Sequence, residues 1–163
     1  MPDNGPPHLD VYLAELHFQC SLAFRAWSEL SGIDRIADPV GAWLRAQAIL
    51  CACANVSKLL WSYQDEGRRG SQLRSVLGIS EGSVWASRRL RNEFENFDER
   101  LDKWARKSEG RTFSLTVQGS AVDSPRRIDQ DWTIYCLGRS VRLDQLAIES
   151  EILLHKVAGV MGA

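Results

Sequence analysis

A chain of 163 residues that is 44% apolar and 25% charged has an ordinary globular composition, which excludes a disordered chain and suits one domain with a substantial core. Its formal net charge of -1 excludes a global basic field for nucleic acid or an anionic membrane, so any phosphate contact must come from a local cluster.

Residues 1–8, MPDNGPPH, read as a flexible polar lead without an apolar signal segment, and no apolar run approaches the ~20 residues of a membrane span. No membrane association and a cytoplasmic location are the expectation. Leu9, Leu13, Leu16, Cys20, Ala23, Trp27 and Leu30 then recur at alternating spacings of four and three, which predicts a long amphipathic helix over 9–31, ended at Gly32. Asp38 before Pro39 is a start signal, a side-chain cap ahead of a residue whose missing donor would have been unpaired anyway. The helix it opens, AWLRAQAILCACANVSKLLWSY, is apolar on most sides and is expected at the centre of the bundle.

Asp65 to Gly70, DEGRRG, reads as a turn, and Ser71 to Leu77 as a short helix stopped at Gly78. Ser80 or Ser83 caps the next helix, predicted to run to about Lys107 with Leu90, Phe94, Phe97, Leu101 and Trp104 on one buried stripe. Past Arg111 the period becomes alternating. Phe113, Leu115 and Val117 share one face of a strand, and Trp132 to Leu137 form a second, separated by the polar connection GSAVDSPRRIDQD. Residues 112–138 are thus expected as a two-stranded β-hairpin with a polar loop. Leu143, Leu146, Ser150, Leu153, Val157 and Val160 predict a closing helix. The whole chain, 1–163, reads as a single mainly α domain.

Cys20, Cys51, Cys53 and Cys136 contain no C-x-x-C pair, and Cys51 and Cys53, two apart on a helix, take nearly opposite faces. Buried free thiols are expected, with no metal site and no cofactor. Trp27, Trp61 and Trp104 lie on or beside apolar stripes and are expected to pack in the core rather than stack on bases.

The polar cluster Arg91, Asn92 and Asn96 interrupts the amphipathic helix around residues 87–107. In the run Arg91-Asn92-Glu93-Phe94-Glu95-Asn96 the order and spacing resemble the R-N-x-x-x-H signature of the HEPN superfamily of helical domains, in which an Arg is followed after four to six residues by a His. The segment LRNEFENFDERLDKW is similar to HEPN-like bacterial proteins at the same place, a late long helix. The resemblance implies a bundle of four to five helices, a homodimer in which two motifs face each other, and metal-independent RNA cleavage of a bacterial defence or toxin-antitoxin type, with an antitoxin as a protein partner. It would make Arg91 the group that orients phosphate and stabilises developing charge, and Asn92 a polar support. Asn96 stands where the family has His. An amide has no proton affinity near neutral pH and cannot serve as general base, so the implied function is an RNA-associated protein that cleaves weakly or not at all.

Two other readings stand beside it. The chain can be a non-catalytic helical protein-interaction module, in which Arg91 simply pairs with Glu95 one turn on. It can also be an active ribonuclease in which His17 or His155 joins Asn96; Glu151 and His155 share a helical face. A nucleic-acid groove would draw on Arg68, Arg69, Arg126 and Arg127, all expected on loops.

Overall fold

A computed structural model of the chain describes residues 8–61, 68–87, 97–107, 115–116, 126–137 and 139–162. Helix α1, Leu9–Ser31, points Leu13, Leu16, Cys20, Ala23, Ala26 and Leu30 inward, as the three-four spacing predicts. Seven residues later Asp38 caps α2, Pro39–Leu60, its side chain accepting from the Gly41 N–H with Pro39 in the first turn. The short link makes α1 and α2 antiparallel neighbours. Arg45 of α2 reaches Glu29 near the end of α1 at 3.2 Å, and the Asn55 amide donates to Gln19 at 3.3 Å.

α1 packs along both α2 and the final helix α5, Leu143–Met161, whereas α2 and α5 meet over a shorter stretch. α2 nevertheless touches more elements than any other helix, in keeping with the central place expected for it. Part of its apolar surplus is on the surface, where Val40 is 69% and Leu44 66% exposed. α5 buries Leu143, Leu146, Ser150, Leu153 and Val157, but Val160, expected on the same stripe, is exposed.

Helix α3, Arg68–Leu77, starts three residues earlier than the DEGRRG turn allowed. Gly70 is the reason a glycine sits inside it: a Cβ there would lie 2.5 Å from the Leu60 carbonyl oxygen. At the other end Gly78 adopts φ 60, with its own N–H bonded to the Ser75 carbonyl and the Ile79 N–H to the Arg74 carbonyl. Those two bonds complete a Schellman stop.

Ser83 is a cap, as expected, but for a 3₁₀ turn, Val84–Ala86, after which Ser87 is extended (φ -66, ψ 115). A helix unbroken from Ser83 to Lys107 does not form. The Trp85 carbonyl, which such a helix would give to an N–H four residues on, accepts instead from the buried Ser57 hydroxyl at 2.6 Å. Helix α4, Phe97–Lys107, resumes with Asp98 and Glu99 in its first turn and Arg106 and Lys107 in its last, the charge order a helix dipole favours. Of the expected stripe, Leu101 is half-buried, while Leu90 and Phe94 lie outside the described residues.

The small sheet differs from the expected hairpin. Its strands are β1 (Leu115–Thr116), β2 (Arg126–Ile128), β3 (Thr133–Cys136) and β4 (Arg139–Arg142), in that order across the sheet. β2, β3 and β4 form an antiparallel meander, and the two residues of β1 pair parallel to β2. β2 thus lies between the two segments expected to pair, inside what reads as a polar connection. The register explains it: Ile128, Ile134 and Val141 stand in one row across three strands, with both isoleucines buried. Phe113 and Val117 lie outside the described residues.

The turn between β2 and β3 anchors this sheet to the helices. Trp132, at φ 63, meets Trp27 of α1 edge-on at 5.1 Å between ring centroids. The Arg35 guanidinium lies 4.1 Å over the same ring and donates to the Asp129 carbonyl at 2.8 Å. The Trp132 carbonyl in turn accepts from Leu143, the first residue of α5. One continuous core joins α1, α2, α3, the 3₁₀ turn, the sheet and α5.

Candidate functional site

Arg91, Asn92 and Asn96, the residues that carry the motif, lie in 88–96, outside the described residues. What brackets them is defined. On one side Trp85 is only 2% exposed and is held through its N–H by the Ser83 hydroxyl and through its carbonyl by Ser57. On the other, α4 begins one residue beyond Asn96, with Glu99, Asp102, Lys103 and Arg106 all exposed.

The histidines considered as substitutes for the missing base both face solvent, His17 on α1 and His155 on α5. Glu151 and His155 are also both exposed, and no hydrogen bond or ion pair joins them. The arginines proposed for a groove are not on loops. Arg68 and Arg69 open α3, where the Arg69 guanidinium lies 4.7 Å over the Tyr12 ring. Arg126 and Arg127 form β2.

On the sheet, arginine charge is met by carboxylate. Arg127 forks onto Asp129 through Nε and Nη2 and lies 4.1 Å over the Tyr135 ring; the Asp129 hydrogen bond raises the Arg127 pKa further. Arg142 forks onto Asp144 in the same way, two residues on, and holds that carboxyl below its usual range. Asp131 is also kept low, chiefly by the Thr133 N–H and hydroxyl, and its carboxylate stands 4.0 Å from Arg142. These two guanidinium groups are met by three carboxylates, while Arg126 and Arg139 bring the arginines of the strands to four.

Cys20 and Cys53 are buried free thiols, and burial pushes each up to about 12. Cys51, by contrast, is exposed, so the expectation of burial fails for it while the opposite-face geometry holds. Among the described residues no group of three or more His, Cys, Asp or Glu side chains is placed to hold a metal ion, and no helix is long and apolar enough to cross a membrane. Trp27 and Trp61 are half-buried against the core, Trp61 beneath the Arg74 guanidinium at 4.8 Å; the Trp104 side chain lies outside the description.

Sequence reasoning missed one concave feature. A groove of about 250 Å³ runs between the loop Gly78–Trp85 and α5, with Glu149, Ile152, Leu153 and Lys156 on the helix side. The available signal was the doubled glycine in Gly78-Ile-Ser-Glu-Gly82-Ser, which reads as helix punctuation. Comparison with protein-family models, with curated proteins and with solved structures finds no significant match.

Proposed function

We propose that the chain is a HEPN-like helical domain that associates with RNA as a homodimer and cleaves it weakly or not at all, in a bacterial defence or toxin-antitoxin setting. The observation that carries this reading is the run Arg91-Asn92-x-x-x-Asn96, set directly before a helix in a chain whose described part is mainly helical. Arg91 supplies a permanent positive charge for a phosphate, and Asn96 a hydrogen-bonding amide in place of a base. The test is Asn96→His. A general base restored at this position is expected to raise metal-free RNA cleavage by about 10²–10⁴-fold. Arg91→Ala in that background should abolish the gain. Cleavage unchanged by Asn96→His, or a gain indifferent to Arg91, would refute the reading.

A second reading, a protein-interaction module, is favoured by apolar side chains left on the surface. Val11, Phe18 and Leu22 of α1 are 60%, 55% and 42% exposed and, at spacings of seven and four, share one face. Val40 and Leu44 continue the theme on α2. Exposed apolar side chains grouped on one helix face suit a protein contact. No RNA affinity at low salt, with self-association in sedimentation velocity that Phe18→Glu or Leu44→Glu removes, is the result that would choose it.

A further inference from the structure

Phe18 and Leu22 stand two residues to either side of Cys20, the midpoint of α1, and both are exposed. Three residues further out on each side come Glu15 and Arg25, also exposed. Spacings of three, four and three put the four side chains in one row along the outer face of the helix. The row runs acid, aromatic, leucine, base, with its two halves equally far from the centre. Turned end for end it runs base, leucine, aromatic, acid, so it is complementary to an antiparallel copy of itself. A parallel copy would instead set Glu15 on Glu15 and Arg25 on Arg25, and like charges in register oppose that arrangement.

Neither charge is neutralised within the chain. Glu15 accepts from the Gln19 amide at 2.7 Å, a neutral donor, and no cation pairs with it among the described residues. Arg25 gives its Nε to Glu29 at 2.7 Å, but Glu29 is shared with Arg45 of α2 at 3.2 Å, so two guanidinium groups stand against one carboxylate. The apolar surface also extends at both ends. Leu44, beside Arg45, is exposed at the basic end, and Val11, four residues before Glu15, at the acidic end; antiparallel pairing lays one over the other.

We propose that α1 packs antiparallel on α1 of a second copy, about a two-fold axis at the height of Cys20. Phe18 then lies on Leu22 of the second copy and Glu15 meets its Arg25, each contact being made twice. This names the partner of the interaction reading and rests on it. With Val11 and Leu44 the seam buries on the order of 500 Å² per copy, about 1,000 Å² in total, the low end of specific interfaces and the range of transient ones. A dissociation constant of roughly 10–100 µM follows, so the dimer forms and separates with concentration.

Sedimentation velocity of the full chain over a wide concentration range is expected to show an equilibrium that stops at two copies, because a two-fold contact uses each face once. Glu15→Arg and Arg25→Glu, both at exposed positions, should each weaken it by roughly tenfold or more, through like charge at both ends of the seam. An equimolar mixture of the two variants should dimerise like the parent, since each copy then supplies the charge that its mate has lost. Loss of the Arg25–Glu29 bond cannot imitate this pattern, because the bond is missing from the mixture too. If either variant does not fold, Phe18→Ser decides: a weakened dimer in a folded chain supports the seam, and an undisturbed one overturns it. A dimer indifferent to both reversals, or a mixture that associates no better than its components, would overturn the seam and leave the interaction reading to another surface. A chain that stays monomeric overturns the seam as well; if that chain binds RNA at low salt the interaction reading falls with it, and if it binds none that reading survives with a different protein as partner.

Discussion

Gly70 is where a single missing carbon governs how two helices meet. A Cβ at this position would stand 2.5 Å from the Leu60 carbonyl oxygen and 3.2 Å from an Arg74 guanidinium nitrogen that also donates to that carbonyl. The flexible arginine can move, but the carbonyl is backbone and cannot. Gly70→Ala is therefore expected to push α3 off the end of α2 and to cost about 1–3 kcal/mol, despite alanine's better helix propensity. Urea unfolding of the purified variant checks this, and an unchanged or raised midpoint would contradict the contact. Read along the sequence, the same glycine belongs to DEGRRG and marks a turn. Periodicity and turn chemistry carry no information about a backbone that approaches from the end of the preceding helix, here Leu60, so a glycine kept for close approach is indistinguishable from one kept for a bend.

Among elements, the two long N-terminal helices were legible and strand pairing was not. Leu9–Ser31 begins and ends where the apolar spacing and Gly32 place it, and Pro39–Leu60 begins at the Asp38-Pro39 cap but stops short of the expected WSY, because a helix of six turns repeats its signal many times while its end carries little. The strands of this sheet are two to four residues long, too short for alternation to declare a partner. Their register depends on contacts remote in sequence, above all Trp132 held between Trp27 and Arg35. Arg35→Ala removes both the cation–π contact and the bond to the Asp129 carbonyl. A loss of roughly 1–2 kcal/mol is expected, drawn from a stacked cation worth about 0.5–2 and a charged hydrogen bond of similar size. Amide exchange should accelerate across Thr133–Arg142 before it does in the middle of α1. Equal acceleration in both would mean that the turn is not a separable anchor.

At the scale of the molecule, the fold class follows from summed apolar periodicity, while the proposed function rests on Arg91, Asn92 and Asn96, which periodicity treats as polar surface. The groove at α5 was not legible either, since it is made by bringing residues 78–85 against residues 149–156. The core nevertheless has a consequence for the whole protein that can be worked out from its thiols. Cys20 of α1 and Cys53 of α2 are fully buried, Cys53 beside the Ser150 hydroxyl of α5 at 3.6 Å, where the three helices share their interior. Burial raises each thiol from 9.0 to about 12. Below pH 9 both the folded and unfolded chains hold these protons, so stability is indifferent to them. Between pH 9 and about 12 the unfolded chain releases protons that the folded chain retains, which favours unfolding. Stability should fall by about 1.4 kcal/mol per pH unit for each thiol across that window. Lysines and tyrosines titrate there too, so the measurement is a difference: urea unfolding under reducing conditions from pH 8 to 10.5, parent against Cys53→Ala and against Cys20→Ala. Each variant begins less stable at pH 8 through its small cavity, but its stability should decline less steeply with pH, and the double variant less steeply still. Parallel declines in all four proteins would show that these thiols do not titrate differently on unfolding.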